Sequence, residues 1–379
     1  MAAAETLLNT KNYKEVATNE EIESRKFQTT IVGEITVPYD VPDNKVSEYI
    51  ENYRAATQGT GRLMLFAADQ KIEHLNDDFY GEGIDPADND PKHMFRIAEG
   101  GTIGVMAAQK GLIARYAPDY PDINYLVKMN SKTNLDDKYG KTLKRKAEEK
   151  NIDVDESQLR DPDSPQLYSL ESVLDMKKAG ANVVGVGYTI YLGSEYEAEM
   201  MKEAGQLISD AHKEGLIVVL WIYPRGKAVS DEKDAHLIAG AAGVGAALGA
   251  DFVKVNPPKE TETVSSAERL KEASQAAGRT ALVCAGGSTA EVDKFLYQLY
   301  DQIHVGGAKG NATGRNIHQR PIDEAIALTD AISTLVFGGY DAAEAMLVYG
   351  RQRCLKEAKP GKWVTEPVEG PDPVGTVAV

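Results

Sequence analysis

Eight short runs rich in β-branched and other aliphatic residues recur along the chain, and helical patterns lie between most of them. Several runs are almost continuously apolar, which is typical of parallel strands that are covered on both faces. The predicted strands are LMLFAAD (63–69), TIGVMAA (102–108), NYLVKMN (124–130), ANVVGVGYT (181–189), LIVVLWIY (216–223), DFVKVN (251–256), TALVCAG (280–286) and IHVGG (303–307). Such alternation favours a parallel α/β fold, and eight strands favour a (β/α)8 TIM barrel over a doubly wound open sheet.

Three segments fall outside this alternation and bound a single predicted domain. Residues 1–60 are expected to form a helical extension packed on the barrel, which itself occupies residues 61–358. Residues 133–168 form a charged insertion after strand 3. Residues 359–379 are rich in Pro and Gly and lack periodicity, which predicts a flexible C-terminal tail. The 379 residues, 42% of them hydrophobic, suffice for one large core.

The acidic composition limits the partners of this chain. Its 58 acidic and 42 basic side chains give a formal charge of −16, so we expect neither a nucleic-acid nor a membrane partner. No apolar run approaches the roughly 20 residues of a transmembrane helix, and the N-terminus lacks a secretory pattern. Cys284 and Cys354 form no CxxC pair, which fits a reducing compartment. We therefore expect a cytoplasmic protein.

Lys254 is the most informative single residue because it lies inside the apolar run FVKV (252–255). Burial of an ammonium group is costly unless the group is paired or its pKa is lowered. An amine with a lowered pKa is the form that attacks a carbonyl carbon. A buried lysine that is simply paired with a carboxylate is the alternative interpretation.

Three residues on other predicted strands could act with Lys254. Trp221 and Tyr223 are two positions apart on strand 5 and therefore share a face. The phenol could transfer protons during Schiff-base chemistry, although both aromatic rings could equally fill the core. Asp69 ends strand 1, and a carboxylate at the carboxyl end of a barrel strand is a catalytic candidate. It could instead cap a helix or pair with Lys254.

Polar residues near the end of strand 3 could contact an anionic substrate. Lys128 and Asn130 share one face of that strand, and Lys132 follows directly. These groups reach the same rim as Lys254 only if the strands close into a barrel.

Two glycine-rich runs predict a phosphate site after strands 7 and 8. Glycine lets backbone N–H groups approach an anion, and these two loops commonly bind phosphate in (β/α)8 barrels. The candidate phosphate-binding residues are Gly286, Gly287 and Ser288 after strand 7, and Gly307, Lys309, Gly314 and Arg315 after strand 8. Either run alone is a weak signal, because glycine turns are common.

The six histidines show no spacing typical of a metal site. Neither an HxH nor an HExxH pattern occurs, and no Walker A motif is present. We therefore expect neither a metal ion nor another cofactor.

These residues in this order resemble the class I (Schiff-base) fructose-bisphosphate aldolases of the archaeal type, in the DeoC/FbaB aldolase family. The resemblance extends over about residues 60–320. Its matching segments are AADQKIEH, VKMNSKTNL, LYSLESVLDMKKAGANVVGVGYTIYLGSEYE, VVLWIYPRG, ADFVKVN, VCAGGS and GGAKGNATGRNIHQR.

The resemblance implies reversible cleavage of fructose 1,6-bisphosphate to dihydroxyacetone phosphate and glyceraldehyde 3-phosphate, without a metal. It implies that Lys254 forms the imine, that Tyr223 transfers protons beside Trp221, and that Asp69 is a polar partner. The glycine loops would hold the 1-phosphate. A homo-oligomer, often a decamer, is also implied.

Two other interpretations share this barrel. One is another Schiff-base enzyme of the same group, such as a transaldolase-like synthase or a thiolase, that acts on a different ketose phosphate. The other is a non-catalytic sugar-phosphate-binding barrel.

Overall fold

The computed structural model describes residues 35–135, 160–287 and 289–368, together with positions 140, 142, 145, 146, 148 and 149. In these parts of the chain, no helix combines the length and the apolar character that crossing a membrane requires.

Eight parallel strands close into a barrel in the order β1 to β8, which confirms the predicted (β/α)8 fold. β1 pairs with both β2 and β8, so the sheet has no free edge. The strands are β1 Leu63–Ala67, β2 Val105–Gln109, β3 Tyr125–Lys128, β4 Val183–Leu192, β5 Ile217–Pro224, β6 Phe252–Val255, β7 Ala281–Ala285 and β8 Gly310–Thr313. The first seven overlap the predicted runs.

Helices alternate with these strands and surround the barrel. The described helices are α1 Val46–Thr57, α2 Gln70–Glu73, α3 Lys92–Gly100, α4 Lys110–Tyr116, α5 Leu170–Lys178, α6 Glu197–Lys213, α7 Ala235–Leu248, α8 Ser266–Ala276, α9 Val292–His304, α10 Arg315–His318, α11 Ile322–Val336 and α12 Ala342–Tyr349. Short 3-10 turns occupy Asp43–Lys45 and Pro86–Asn89.

The predicted eighth strand, IHVGG at 303–307, is wrong. Ile303 and His304 form the last turn of α9, where Ile303 is buried as part of an amphipathic helix. The true strand, Gly310–Thr313, is short and partly polar. Its Asn311 side chain donates a hydrogen bond to the Cys284 carbonyl of β7 at 3.2 Å. The strand therefore lacks the continuous apolar run by which the other strands were predicted.

Side chains alternate between two apolar layers. Leu126, Val219, Trp221 and Phe252 belong to the layer inside the barrel. A second layer, which includes Phe66, lies between the strands and the helices. Lys254 is two positions from Phe252 on β6, so it points into the barrel as predicted.

Residues 35–57, which we call the N-terminal arm, cover the amino end of the barrel. The ring of Tyr53 on α1 stacks on Phe252 at 5.4 Å between centroids. His212, at the end of α6, contacts Asp40 of the arm at 2.9 Å and Asp251 at 3.2 Å. The helical extension predicted for residues 1–60 thus includes one helix on the barrel, while residues 1–34 lie outside the described residues.

The flexible tail predicted from residue 359 is partly wrong. Strands β9 Arg353–Lys359 and β10 Lys362–Pro367 form an antiparallel hairpin. Trp363 packs against Phe337 at 5.8 Å between ring centroids, and its indole N–H donates to the Gln58 carbonyl. The buried Arg353 of the hairpin also pairs with Glu344 at 2.6 Å. These few contacts of a largely charged segment produce no periodic sequence signal.

Half of the insertion predicted at 133–168 lies outside the described residues. Its last part returns to the barrel at an isolated antiparallel bridge between Gln166 and Asn130.

Candidate functional site

A cavity of about 190 Å³ opens at the carboxyl end of the barrel strands, where (β/α)8 enzymes carry their catalytic residues. The residues that line it are Asp69, Gln70, Glu73, His74, Thr189, Trp221, Tyr223, Arg225, Lys254, Asn256, Ala285, Gly286, Gly287, Ala312, Gly314 and Arg315. All four predicted catalytic residues are among them.

Lys254 points into this cavity from the middle of β6. The residue is 6% exposed, and its amino group makes no hydrogen bond or ion pair with the described part of the chain. Burial lowers the pKa of Lys254, an effect that Asp69 and Glu73 oppose and Arg315 reinforces. The amine is therefore available in its neutral, nucleophilic form more readily than an exposed lysine.

Trp221 holds the side of the cavity next to Lys254. The two residues are register partners across β5 and β6, and the Lys254 Nζ atom is 5.3 Å from the indole centroid. Gly187 of β4 leaves space for the indole, because a β-carbon there would lie 2.3 Å from the ring and 2.8 Å from Leu126. Lys254 thus lies beside a ring whose position is fixed by packing.

Tyr223 lies on the same face of β5 as Trp221, two residues closer to the carboxyl end of the strand. Burial raises the pKa of Tyr223 well above its usual value, and the charges of Asp69 and Glu73 raise it further. The side chain is therefore a neutral phenol at physiological pH. Such a group is suited to donating a proton before it accepts one.

Asp69 and Glu73 bring two carboxylates to the cavity from one short segment. Asp69 precedes α2 directly and Glu73 ends it, so the two are four positions apart on one helical face. Glu73 accepts a hydrogen bond from the Tyr191 hydroxyl at 2.9 Å. Tyr191 in turn stacks on Tyr223 with ring centroids 6.4 Å apart.

The glycine loops after β7 and β8 form the opposite wall. Gly286, Gly287, Gly314 and Arg315 line the cavity, as predicted. A β-carbon on Gly314 would lie 2.4 Å from the Ala67 carbonyl oxygen, so only glycine fits there without a shift. The Gly286 N–H already donates to the Ala312 carbonyl at 3.0 Å, whereas Gly287 is exposed beside the Arg315 guanidinium. A backbone N–H next to a guanidinium is suited to binding a phosphate.

The predictions for Gly307 and Lys309 are wrong in their placement. Both residues precede β8 rather than follow it, and the Lys309 carbonyl accepts a hydrogen bond from the N–H of Leu63 at the start of β1. They therefore lie at the amino end of the barrel, away from the cavity. Ser288 lies outside the described residues.

The three predicted residues of the β3 region also do not line the cavity. The Lys128 amino group donates to the Asn130 carbonyl at 2.7 Å and to its side-chain oxygen at 3.0 Å. Lys128 is 3% exposed, and burial lowers its pKa to about 8. The Asn130 amide bonds to backbone, and Lys132 pairs with Asp163 at 2.6 Å. Lys128 lies close enough to Asp69 and Lys254 for their charges to act on its pKa. The substrate contacts predicted for the three residues stay predictions.

Sequence reasoning missed Arg225 and Glu73 as cavity residues. The Arg225 guanidinium carbon is 5.4 Å from the Tyr191 ring centroid and 5.8 Å from that of Tyr223. Its position in YPRG, two residues after Tyr223, is the signal that could have identified it. Glu73 could have been found from its spacing of four from Asp69.

His74, which directly follows α2, lines the cavity and forms an ion pair with Asp78 at 2.6 Å. Burial opposes its charged form, but the contact with Asp78 outweighs burial and raises the pKa of His74. Within the described residues, no group of three or more His, Cys, Asp or Glu side chains has the arrangement to hold a metal ion.

The sequence of this chain is similar to those of known aldolases. The model of the DeoC/LacD family aldolases matches residues 63–320. A Methanocaldococcus jannaschii protein named fructose-bisphosphate aldolase/6-deoxy-5-ketofructose 1-phosphate synthase is 52% identical over 317 residues, 83% of this chain and 94% of its own length.

Solved structures of fructose-bisphosphate aldolases are also similar to this chain. A fructose-bisphosphate aldolase from Slackia heliotrinireducens is 62% identical, with a TM-score of 0.77, over 83% of this chain and 94% of that one. An archaeal fructose-1,6-bisphosphate aldolase, solved with its catalytic Lys covalently bound to the carbinolamine intermediate, is 27% identical. Its TM-score is 0.61, over 76% of this chain and all of that one.

These findings confirm the resemblance to class I aldolases of the archaeal type. The expected cytoplasmic location, the homo-oligomer and the absence of a cofactor stay predictions. The match over the whole barrel and the lysine-bearing cavity lead to one conclusion: the chain belongs to the DeoC/LacD family of aldolases.

Proposed function

We propose that this protein cleaves fructose 1,6-bisphosphate reversibly to dihydroxyacetone phosphate and glyceraldehyde 3-phosphate through an imine on Lys254. The observation that carries the proposal is a buried amine, unbonded to the described part of the chain, in a cavity that also holds two guanidinium groups. Binding alone does not require an amine in an apolar strand, which argues against a non-catalytic barrel.

Two phosphate positions follow from the cations of the cavity. The 1-phosphate lies on the backbone of Gly287 and Gly314 beside Arg315. The 6-phosphate lies near Arg225, which follows β5, three strands around the ring from β8, the strand that precedes Arg315. This arrangement directs C2 of the ketose toward β6, where Lys254 stands.

Imine formation uses the neutral amine and the protonated phenol. The Lys254 nitrogen attacks C2, and a proton moves from nitrogen to the carbonyl oxygen to give a carbinolamine. Tyr223 then donates its proton to the C2 hydroxyl, which leaves as water. The products of this step are a protonated imine and a phenolate.

Carbon–carbon cleavage uses the phenolate that dehydration leaves behind. Tyr223 takes the proton of the C4 hydroxyl, the C3–C4 bond breaks, and its electron pair moves through C2 to the imine nitrogen. Glyceraldehyde 3-phosphate departs, and an enamine remains on Lys254. Protonation of the enamine at C3, followed by hydrolysis, releases dihydroxyacetone phosphate. Asp69 and Glu73 stabilise the cationic imine.

The imine itself accepts the electron pair, so this mechanism needs no metal ion. Activity should therefore be the same before and after exhaustive treatment with EDTA. A metal-dependent class II aldolase would lose its activity under that treatment.

The test of the proposal is chemical trapping. Borohydride added in the presence of dihydroxyacetone phosphate should reduce the imine to a stable secondary amine, located on Lys254 by mass spectrometry of the digested protein. An adduct on another lysine, or none at all, would refute the proposal.

A second function is favoured by the name of the Methanocaldococcus jannaschii relative, which is also a 6-deoxy-5-ketofructose 1-phosphate synthase. Bond cleavage between C3 and C4 of that product gives dihydroxyacetone phosphate and the three-carbon 2-oxoaldehyde methylglyoxal. The same enamine on Lys254 could therefore be transferred to an acceptor without a phosphate.

Competition between acceptors separates the two functions. The enzyme is incubated with fructose 1,6-bisphosphate and increasing methylglyoxal, and the sugar products are quantified. If the transfer product forms with a higher kcat/KM than the cleavage reaction, the synthase is the main activity.

A further inference from the structure

Asp161, at the end of the predicted insertion, bridges two loops of the catalytic rim. Its Oδ2 atom accepts a hydrogen bond from the backbone N–H of Glu195 at 2.9 Å, and Oδ1 accepts one from that of Lys227 at 3.0 Å. The residue is only 5% exposed. A carboxylate so deeply buried requires such donors, so these two bonds constrain both loops relative to one another.

The bridged loops follow the strands that form one side of the cavity. Glu195 follows β4, and Lys227 follows β5, two residues after Arg225. The loops also touch directly, because a β-carbon on Gly226 would lie 2.4 Å from the carbonyl oxygen of Gly193. A shift of either loop therefore moves the backbone that carries Arg225.

The segment that contains Asp161 is itself attached to the barrel. The Ser194 hydroxyl donates to the Pro162 carbonyl at 2.6 Å. The buried Asn130 amide donates to the Ser164 carbonyl, also at 2.6 Å. The segment around Asp161 is thus anchored to residues that directly follow β3 and β4.

We propose that Asp161 is a positioning residue that keeps Arg225 at the cavity, and that the returning segment 160–168 thereby makes the enzyme select ketoses with a second phosphate. This inference rests on the proposed function, in which Arg225 binds the 6-phosphate. The Arg225 guanidinium forms an ion pair with Glu232 at 3.0 Å. The Arg225 N–H donates to the Leu192 carbonyl at 2.7 Å, so its backbone depends on the end of β4, and Asp161 joins the loop after β4 to the loop after β5.

The decisive variant is Asp161→Asn, which keeps the shape of the side chain but leaves one oxygen to accept where two are needed. One of the two loop N–H groups then faces an amide N–H and loses its partner. Steady-state kinetics are measured with fructose 1,6-bisphosphate and with fructose 1-phosphate, which lacks the group that Arg225 binds.

For Asp161→Asn, the KM for fructose 1,6-bisphosphate should rise about tenfold, the effect of one lost charge-assisted contact. The KM for fructose 1-phosphate and both kcat values should change less than about twofold, since Lys254 and the glycine loops are untouched. A loss of stability alone would affect both substrates equally.

The matched control is Asp163→Asn, two residues further along the same segment. Asp163 pairs with Lys132 and has a side chain that is 29% exposed, and it touches neither rim loop. Its variant should keep the wild-type kinetic constants for both substrates.

Equal changes for both substrates in Asp161→Asn, or no change for either, would overturn the positioning role. If that variant does not fold, Ser194→Ala decides, because it removes the hydroxyl that donates to the Pro162 carbonyl and accepts from the Tyr196 N–H. Its KM for the bisphosphate alone should rise about two- to threefold, as these neutral hydrogen bonds are lost. An unchanged KM there also overturns the role. The proposed function fails separately, when wild-type enzyme gives no borohydride adduct.

Discussion

Lys254 and Trp221 are register partners across two strands, and the lysine nitrogen lies 5.3 Å from the centroid of the indole ring. A second buried amine, that of Lys128, lies 5.5 Å from the same centroid. The two amines differ in their bonding, because Lys128 donates to both oxygens of Asn130 whereas Lys254 faces the cavity. This difference supports the proposal that Lys254, rather than Lys128, is the nucleophile.

Lys254→Met should abolish both turnover and borohydride trapping, with a loss in kcat of at least about 10⁴-fold, since no other amine takes over the covalent step. Trapping with dihydroxyacetone phosphate and mass spectrometry measure it. Lys110→Met, at the first residue of α4 and not among the residues that line the cavity, is the control and should trap as the wild type does. An adduct of undiminished yield in Lys254→Met would contradict the assignment.

Tyr223→Phe should lower kcat about 10²- to 10³-fold, a typical cost of losing a general acid–base group. The raised pKa of Tyr223 keeps it protonated, so its loss slows dehydration and cleavage but leaves attack by Lys254 possible. Single-turnover kinetics should therefore show slow product formation, and the borohydride adduct on Lys254 should still form. A kcat within twofold of the wild type would rule out the proton-transfer role.

Arg315→Gln should raise the KM for fructose 1,6-bisphosphate by about tenfold or more, because a bidentate guanidinium–phosphate contact is lost. Lys309→Gln is the matched control, since Lys309 belongs to the same glycine-rich segment but lies at the other end of the barrel. Its kinetic constants should be those of the wild type. A raised KM in Lys309→Gln with an unchanged KM in Arg315→Gln would instead support Lys309 as a phosphate-binding residue.

The pH dependence of stability should reveal His212 at the amino end of the barrel. Burial opposes its charge, but hydrogen bonds and charges of Asp251 and Asp40 outweigh burial and raise its pKa to about 9. The folded state therefore holds this proton more tightly than the unfolded state, in which histidine titrates near pH 6.5. The resulting stabilisation is complete below pH 6.5 and is lost as the pH rises through 9.

The variant His212→Gln tests this pH-dependent stabilisation, because it removes the imidazole that binds the proton. The difference in unfolding free energy between wild type and variant, from urea titrations, should shrink by about 3 kcal/mol between pH 6 and pH 9.5. His236→Gln, at an exposed histidine paired with Glu272, serves as the control and should show no comparable change. A difference that is constant with pH would contradict the role of the proton.

Strand patterns predicted most of the barrel because seven strands consist mainly of apolar residues. They also predicted that Trp221, Tyr223 and Lys254 share the interior, since alternate residues of a strand face one side. The eighth strand failed because Gly310–Thr313 is stabilised by polar contacts, whereas Ile303 supplies apolar character to a helix. The mistaken strand end then misplaced Gly307 and Lys309.

Loops explain what else the sequence could not predict. The role that we propose for Arg225 depends on two rim loops, both bonded to Asp161, which is more than 60 positions away along the chain. Lys128 shares a face with Leu126 as expected, yet its bonds to Asn130 keep it out of the cavity. Such pairings depend on tertiary packing, which no local pattern encodes.

The bare backbone at Gly187 has a consequence for how this scaffold can change. An alanine there, one nucleotide away in the gene, would push aside the indole and misalign the amine beside it without touching the sugar. Directed evolution toward new aldehydes can therefore diversify the rim, whereas codon 187 should emerge from any randomised library unaltered.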